Sequence, residues 1–134
     1  MQRPDPVPVA QALQTILETG SRWHRGGLDP RTGAGCYGLI WWSFQQVHIE
    51  LPPTAEEGEK DFVIIPPPYA PWDVVLCSMG PLQCERHLGL LLSPQGGYHC
   101  SAASNGAAQF RLHQAFWRRY AKHGLRYREF LACD

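Results

Sequence analysis

Between residues 51 and 71 the chain carries six prolines and the charged run EEGEKD. Proline offers no amide hydrogen and holds φ near its helical value, so neither a long helix nor a central strand runs through such a stretch. The segment reads as a long connection that parts the chain into two kinds of pattern. Ahead of it the spacing is helical. Residues 1–7 are an extended lead-in, and Val9, Leu13, Ile16 and Leu17 then predict an amphipathic helix over 8–19 that Gly20 stops. A glycine-rich loop, SRWHRGGLDPRTGAG, follows. Cys36, Leu39, Ile40, Ser43, Phe44 and Val47 next share one face of a second helix, predicted from Cys36 to about Ile49 and largely buried because Trp41 and Trp42 widen its apolar surface.

Behind the connection the pattern turns to short strands: 73–77, 87–92, 97–102, 108–113 and 125–131. SMGP, SPQGG and SNGA supply turn signals between several of them. QAFWRRYAKHG reads as a short helix or turn before the last strand. Helices first and strands after predict an α+β fold, with an antiparallel sheet of about five strands and the N-terminal helices packed on it.

A length of 134 residues suits one domain, and 44% hydrophobic residues suffice for a core. Twelve basic and twelve acidic residues cancel, which argues against nucleic acid or an anionic membrane as partner. No stretch approaches the roughly 20 apolar residues of a membrane span. The N-terminus has no apolar signal-peptide core, so the expectation is a protein made in a cytoplasm. The five cysteines, Cys36, Cys77, Cys84, Cys100 and Cys133, are odd in number, which argues for free thiols over a disulfide framework.

One of these thiols is placed for chemistry. Cys36 falls at a predicted helix N-terminus, where unpaired N–H groups and the helix dipole favour a thiolate and can hold an oxyanion. Gly33, Gly35 and Gly38 leave room for a substrate backbone, so Gly35, Tyr37 and Gly38 are the candidate substrate-contacting residues around the nucleophile. A buried helix-start cysteine is the plain alternative. A cysteine nucleophile needs a base, and His87 opens an apolar strand where a core histidine would be out of place. His99 lies on the next strand. A tight hairpin at SPQGG would bring it beside His87 in the orienting role of a triad. Cys84, His87, His99 and Cys100 also read as a zinc set. However, His99 and Cys100 are neighbours on a strand and point to opposite faces, which disfavours one shared ion. No metal or other cofactor is therefore expected.

The strings GAGCYGLIWW, PWDVVL, RHLGLLLSPQGGYHC and FWRRYAKHGLRYREFL together resemble NlpC-type cysteine peptidases, most of all the single-domain branch found in phage tails and gene-transfer particles. The resemblance spans roughly residues 8–131. It implies a papain-like α+β fold with Cys36 as nucleophile, His87 as base and His99 as the orienting residue. It also implies hydrolysis of amide bonds in peptidoglycan stem peptides, and assembly with tail proteins that supply targeting. The family's cysteine is usually preceded by aspartate, and here the residue is Gly35, with Asp29 or Asp73 as possible stand-ins. Two rival expectations are a structural tail component with the same fold and weak or lost catalysis, and a secreted antibacterial amidase.

Overall fold

The computed structural model describes residues 1–79 and 85–133. Helix α1 spans Val7–Thr19 and α2 spans Cys36–Gln46. Between them Leu28–Asp29 (β1) and Gly33–Ala34 (β2) pair as a small antiparallel ribbon. The proline-rich connection carries one turn of helix, Ala55–Gly58 (α3), and a strand, Phe62–Ile65 (β3). Strands β4 (Val74–Met79), β5 (Glu85–Ser93), β6 (Gly96–Ser101) and β7 (Gly106–Arg111) follow. The short helix α4 (Ala115–Tyr120) comes next, and then β8 (Ala121–Tyr127). The sheet has six antiparallel strands in the order β3-β8-β4-β5-β6-β7. No helix among the described residues is long and apolar enough to cross a membrane.

Three expectations change. The helix from Cys36 ends three residues early. His48 takes φ 63°, and the N–H groups of His48 and Ile49 turn back to the carbonyls of Gln45 and Phe44. That is the Schellman termination, with Ile49 and Phe44 both buried beneath it. The connection over 51–71 contains β3, tolerated so close to prolines because it is an edge strand. The last strand lies at 121–127 instead of 125–131, and residues 128–133 form 3₁₀ turns. It is inserted between β3 and β4, so its position is set by long-range pairing that the local pattern of KHGLRYREFL does not express.

Strand alternation sorts the side chains into two layers. Val74, Leu76, Leu88, Leu90 and Cys100 face Val9, Leu13 and Ile16 of α1 and Leu39, Ile40 and Phe44 of α2. Val75, Cys77, Leu91 and Phe110 face the other way and are covered by Trp117 of α4. Both helices thus lie on one side of the sheet, as the pattern predicts, and α4 covers part of the opposite side.

Asp73 joins three remote segments. It is fully buried and accepts two hydrogen bonds from the Arg126 guanidinium on β8, at 2.9 and 2.7 Å. It also accepts the Ala70 N–H at 2.8 Å and lies 3.8 Å from the Arg3 guanidinium in the lead-in. Beside it the Trp72 indole donates to the Pro4 carbonyl at 2.8 Å. Asp73→Ala strands a largely buried guanidinium, and removing one partner of such a pair costs about 3–5 kcal/mol. The expected outcome is an unfolding free energy lowered by that amount, from urea melts read by tryptophan fluorescence.

Candidate active site

Cys36 is the first residue of α2, and Gly35 before it is the N-cap, in extended conformation. What seats the helix there is close backbone approach. A Cβ on Gly38 would stand 1.8 Å from the Gly27 carbonyl oxygen, so the missing side chain lets α2 lie directly on the loop ahead of β1. Tyr37 is tied in the same way. Its hydroxyl donates to the Pro52 carbonyl, its ring packs over Gly58, and burial pushes its phenol up to about 12. Gly38 and Tyr37 border the cleft, and each also meets a packing demand. At Gly35 a Cβ would make only ordinary contacts, the nearest 3.4 Å from the Gly26 nitrogen. The space there admits the aspartate of the resembling family.

The sheet is open where Cys36 arrives. β5 pairs with β4 from Glu85 to Leu90, but its register with β6 runs only over Leu90↔Tyr98, Leu91↔Gly97 and Ser93↔Gly96. Toward the other end of β5 the two strands part. Cys36 comes to this opening from the helix side, where it packs against the larger core cluster. The histidines lie on the opposite face, with Cys77 directly across from His87. Cys36, His87, Gly35, Tyr37 and Gly38 border a single cleft of about 720 Å³. Its rim comes from Trp23, Arg25 and Leu28 of the loop, from Pro53 to Ala55 of the connection, and from Met79, Arg86 and Ser101 at the strand ends.

His87 and His99 are a diagonal pair on one face of adjacent strands, and long side chains bridge that spacing. His87 Nε2 lies 2.8 Å from His99 Nδ1, with the rings nearly perpendicular at 86°. Both imidazoles are held neutral. Burial lowers His87, while burial and the repulsion that protonation of His87 would add lower His99 to about 4.

The thiol departs from expectation. Burial pushes Cys36 above its ordinary value, outweighing the N–H groups of Leu88, Tyr37 and Cys36 itself that favour the thiolate, and the Glu59 carboxylate adds to the rise. The helix N-terminus is present, but desolvation dominates it, so the resting pair is thiol and neutral imidazole.

Both aspartates considered as stand-ins for the one missing at position 35 are engaged elsewhere. Asp29 is held by two hydrogen bonds from Arg31 at 3.1 and 2.9 Å, which keep its carboxyl below the usual range. Asp73 is committed to Arg126. Of the zinc set, Cys84 lies outside the described residues. His99 and Cys100 point apart, with Cys100 donating to the Ala34 carbonyl at 3.1 Å. Among the described residues no three metal-ligating side chains stand together. Arg25 and Arg86 on the rim escaped the sequence reading, and Trp23, which the sequence offers as a groove or core residue with core favoured, lines the rim instead. Only the Trp23–Gly27 stretch carried a local signal, an aromatic beside paired glycines.

Two imidazoles buried neutral bind protons less readily in the folded chain than in the unfolded one. Their contribution to stability is complete above about pH 6.5 and is lost as pH falls below it, for His99 down to about 4. Across that window the His99 share is about 3 kcal/mol. His99→Gln is expected to flatten most of this slope in urea melts taken from pH 7 to pH 4.

No family model matches the chain, and no curated protein matches it. Solved structures do. An NLP/P60 family protein of Staphylococcus aureus subsp. aureus Mu50, described as similar to lipoprotein, superposes with TM-score 0.70 at 18% identity, over 95% of this chain and 43% of that one. The NlpC/p60 domain of the peptidoglycan hydrolase SagA gives TM-score 0.61 at 18% identity, over 87% of this chain and 97% of that one. The peptidoglycan hydrolase RipB of Mycobacterium tuberculosis gives 0.63 at 15% identity, over 96% and 68%. The chain thus spans less than half of the staphylococcal protein. Its two N-terminal helices on an antiparallel sheet, with a cysteine heading the second helix, are the papain-like NlpC/P60 fold, built here on six strands.

Proposed function

We propose that the protein is a cysteine peptidase or amidase that hydrolyses amide bonds in peptidoglycan stem peptides. Cys36 is the nucleophile, His87 the general base and His99 the residue that orients it. One observation carries this reading: the 2.8 Å contact between His87 Nε2 and His99 Nδ1, made by an imidazole that shares a cleft with a helix-start cysteine. The contact occupies Nε2 of His87 and leaves Nδ1 for the thiol. To accept a proton there, the ring carries its hydrogen on Nε2 and donates it to His99 Nδ1, so His99 keeps its own hydrogen on Nε2. An acceptor held neutral down to about 4 suits that role. The substrate class is drawn from the names of SagA and RipB, which are peptidoglycan hydrolases with the same fold.

Because the resting pair is neutral, the thiol loses its proton as it attacks. Sγ bonds to the amide carbon, the proton passes to His87 Nδ1, and the carbonyl oxygen becomes an oxyanion facing the free N–H groups at the start of α2. The C–N bond then breaks, and the amine departs with the proton from His87. Water, deprotonated by the same nitrogen, adds to the thioester, and Sγ leaves with that proton.

We further place the protein in a phage tail or gene-transfer particle, where it opens the wall during delivery. The likeness of its motif strings to that branch supports this placement. A second reading keeps the fold as a tail component with weak catalysis. Gly35 in the place of aspartate and a thiol held protonated by burial favour it. Particles carrying Cys36→Ala discriminate: normal assembly with failed delivery marks the enzyme, and normal delivery marks the structural component.

On purified muropeptides followed by mass spectrometry, Cys36→Ala and His87→Ala are each expected to lower kcat/KM by at least about 10³-fold, and His99→Ala by about 10²-fold. Because burial depresses His87, the acid limb of kcat/KM is expected at lower pH than an unperturbed histidine would give. Cleavage that survives Cys36→Ala refutes the assignment.

A further inference from the structure

Helix α4 has six residues, and Trp117 is the one it buries. The chain leaves β7 at one edge of the sheet and re-enters as β8, between β3 and β4. It therefore crosses the face that bears the histidine pair, and α4 lies on that crossing. Its indole stacks on Phe110, with centroids 3.9 Å apart and planes 22° from parallel. The same indole meets both imidazoles, His99 at 5.3 Å and 81°, His87 at 5.8 Å and 46°. Phe110 meets His99 edge-on at 5.8 Å. Gly89 clears the floor between His87 and Leu91: a Cβ there would stand 2.6 Å from the indole and 2.8 Å from the Phe110 ring. Trp117 does not line the cleft, so it has no place against a substrate there.

Histidine is weakly held about its last torsion, where the energy wells are broad. One hydrogen bond between two such rings leaves both free to swing out of line. Aromatic walls at fixed angles remove that freedom. Excluding water also strengthens the bond the rings share.

We propose that Trp117 is a positioning residue for the histidine pair. Its indole, fixed by Phe110 and admitted by Gly89, holds His87 and His99 in hydrogen-bonding alignment and shields that bond from water. The proposal rests on the reading of His87 as general base, and it is tested by one readout that needs no turnover and one that does.

The first is ¹⁵N NMR of the imidazoles in the full chain carrying Cys36→Ala. With Trp117 present, His87 shows the Nε2–H tautomer and His99 takes up a proton near pH 4. With Trp117→Ala, the expected result is a tautomer mixture at His87 and His99 titration moved toward about 6.5. Trp117→Phe, which keeps an aromatic wall, preserves both signatures. The second readout is muropeptide kinetics with Cys36 intact. Trp117→Ala lowers kcat about tenfold or more with KM within about twofold, and Trp117→Phe recovers most of the loss. If Trp117→Ala fails to fold by circular dichroism, Trp117→Leu replaces it, since leucine fills volume without a ring. A folded Ala or Leu variant with unchanged tautomer, titration and kcat overturns the proposal. If the native chain cleaves no muropeptide while the NMR signatures follow the indole, the hydrolase reading falls and the positioning role stands. If cleavage depends on Cys36 and His87 but is indifferent to Trp117, only the positioning role falls.

Discussion

The parting of β5 from β6 is the constraint on which the site depends. A sheet paired along its whole length would keep α2 on one face and the histidines on the other. Because the β5–β6 register runs no further than Leu90↔Tyr98, the far segments of both strands diverge, and one cleft reaches both sides. The Leu88 N–H on the parted strand is among the groups that favour the Cys36 thiolate. Two close approaches hold the geometry from above. Gly38 sets α2 down on the Gly27 carbonyl, and Tyr37 and Trp41 pin the proline-rich connection through the Pro52 and Leu51 carbonyls. That connection forms the cleft wall at Pro53 to Ala55.

The electrostatics of the site follow from burial more than from charge. The chain as a whole is neutral, and its most buried carboxylate, Asp73, is spent on holding the lead-in, the connection and β8 together. None of the described residues lining the cleft is acidic. Cys36 and His87 are thus pushed toward their neutral forms from opposite directions, the thiol up and the imidazole down. Such a pair stores no ion pair at rest. On the proposed mechanism it separates charge only when a carbonyl carbon is present to take the sulfur and N–H groups are present to take the oxygen.

What was legible in the sequence was local. Periodicity placed Cys36 at a helix start. The turn at SPQGG and the alternation of strand side chains put His87 and His99 on one face of neighbouring strands. What was not legible depends on partners distant in the chain. β3 is four residues between prolines, and only its pairing with β8 makes it a strand. β8 itself sits four residues earlier than its apolar residues suggest, because β4 and β3 select its register. The thiol was misjudged for a related reason. A helix N-terminus is visible in a sequence, but the desolvation that outweighs it comes from walls assembled from segments distant in the chain. The indole beneath the histidines belongs to the same class, since nothing in QAFWRRY tells that the helix crosses that face.

Gly35 connects these points. Its backbone is extended and its Cβ position is open, so neither strain nor crowding demands a glycine there. An aspartate would cap α2 well, but its charge would sit beside a thiol that burial and Glu59 already push up. Leaving the N-cap without a side chain keeps the first N–H groups of α2 free for an oxyanion, and it removes one more obstacle to ionising Cys36. In the proposed roles, the burden of aligning His87 as base then falls on neutral groups alone: a second imidazole as acceptor, and the aromatic floor beneath both rings. That arrangement trades charge stabilisation, which a desolvated cleft makes costly, for geometric restraint, which a packed sheet face supplies through Phe110, Gly89 and Trp117.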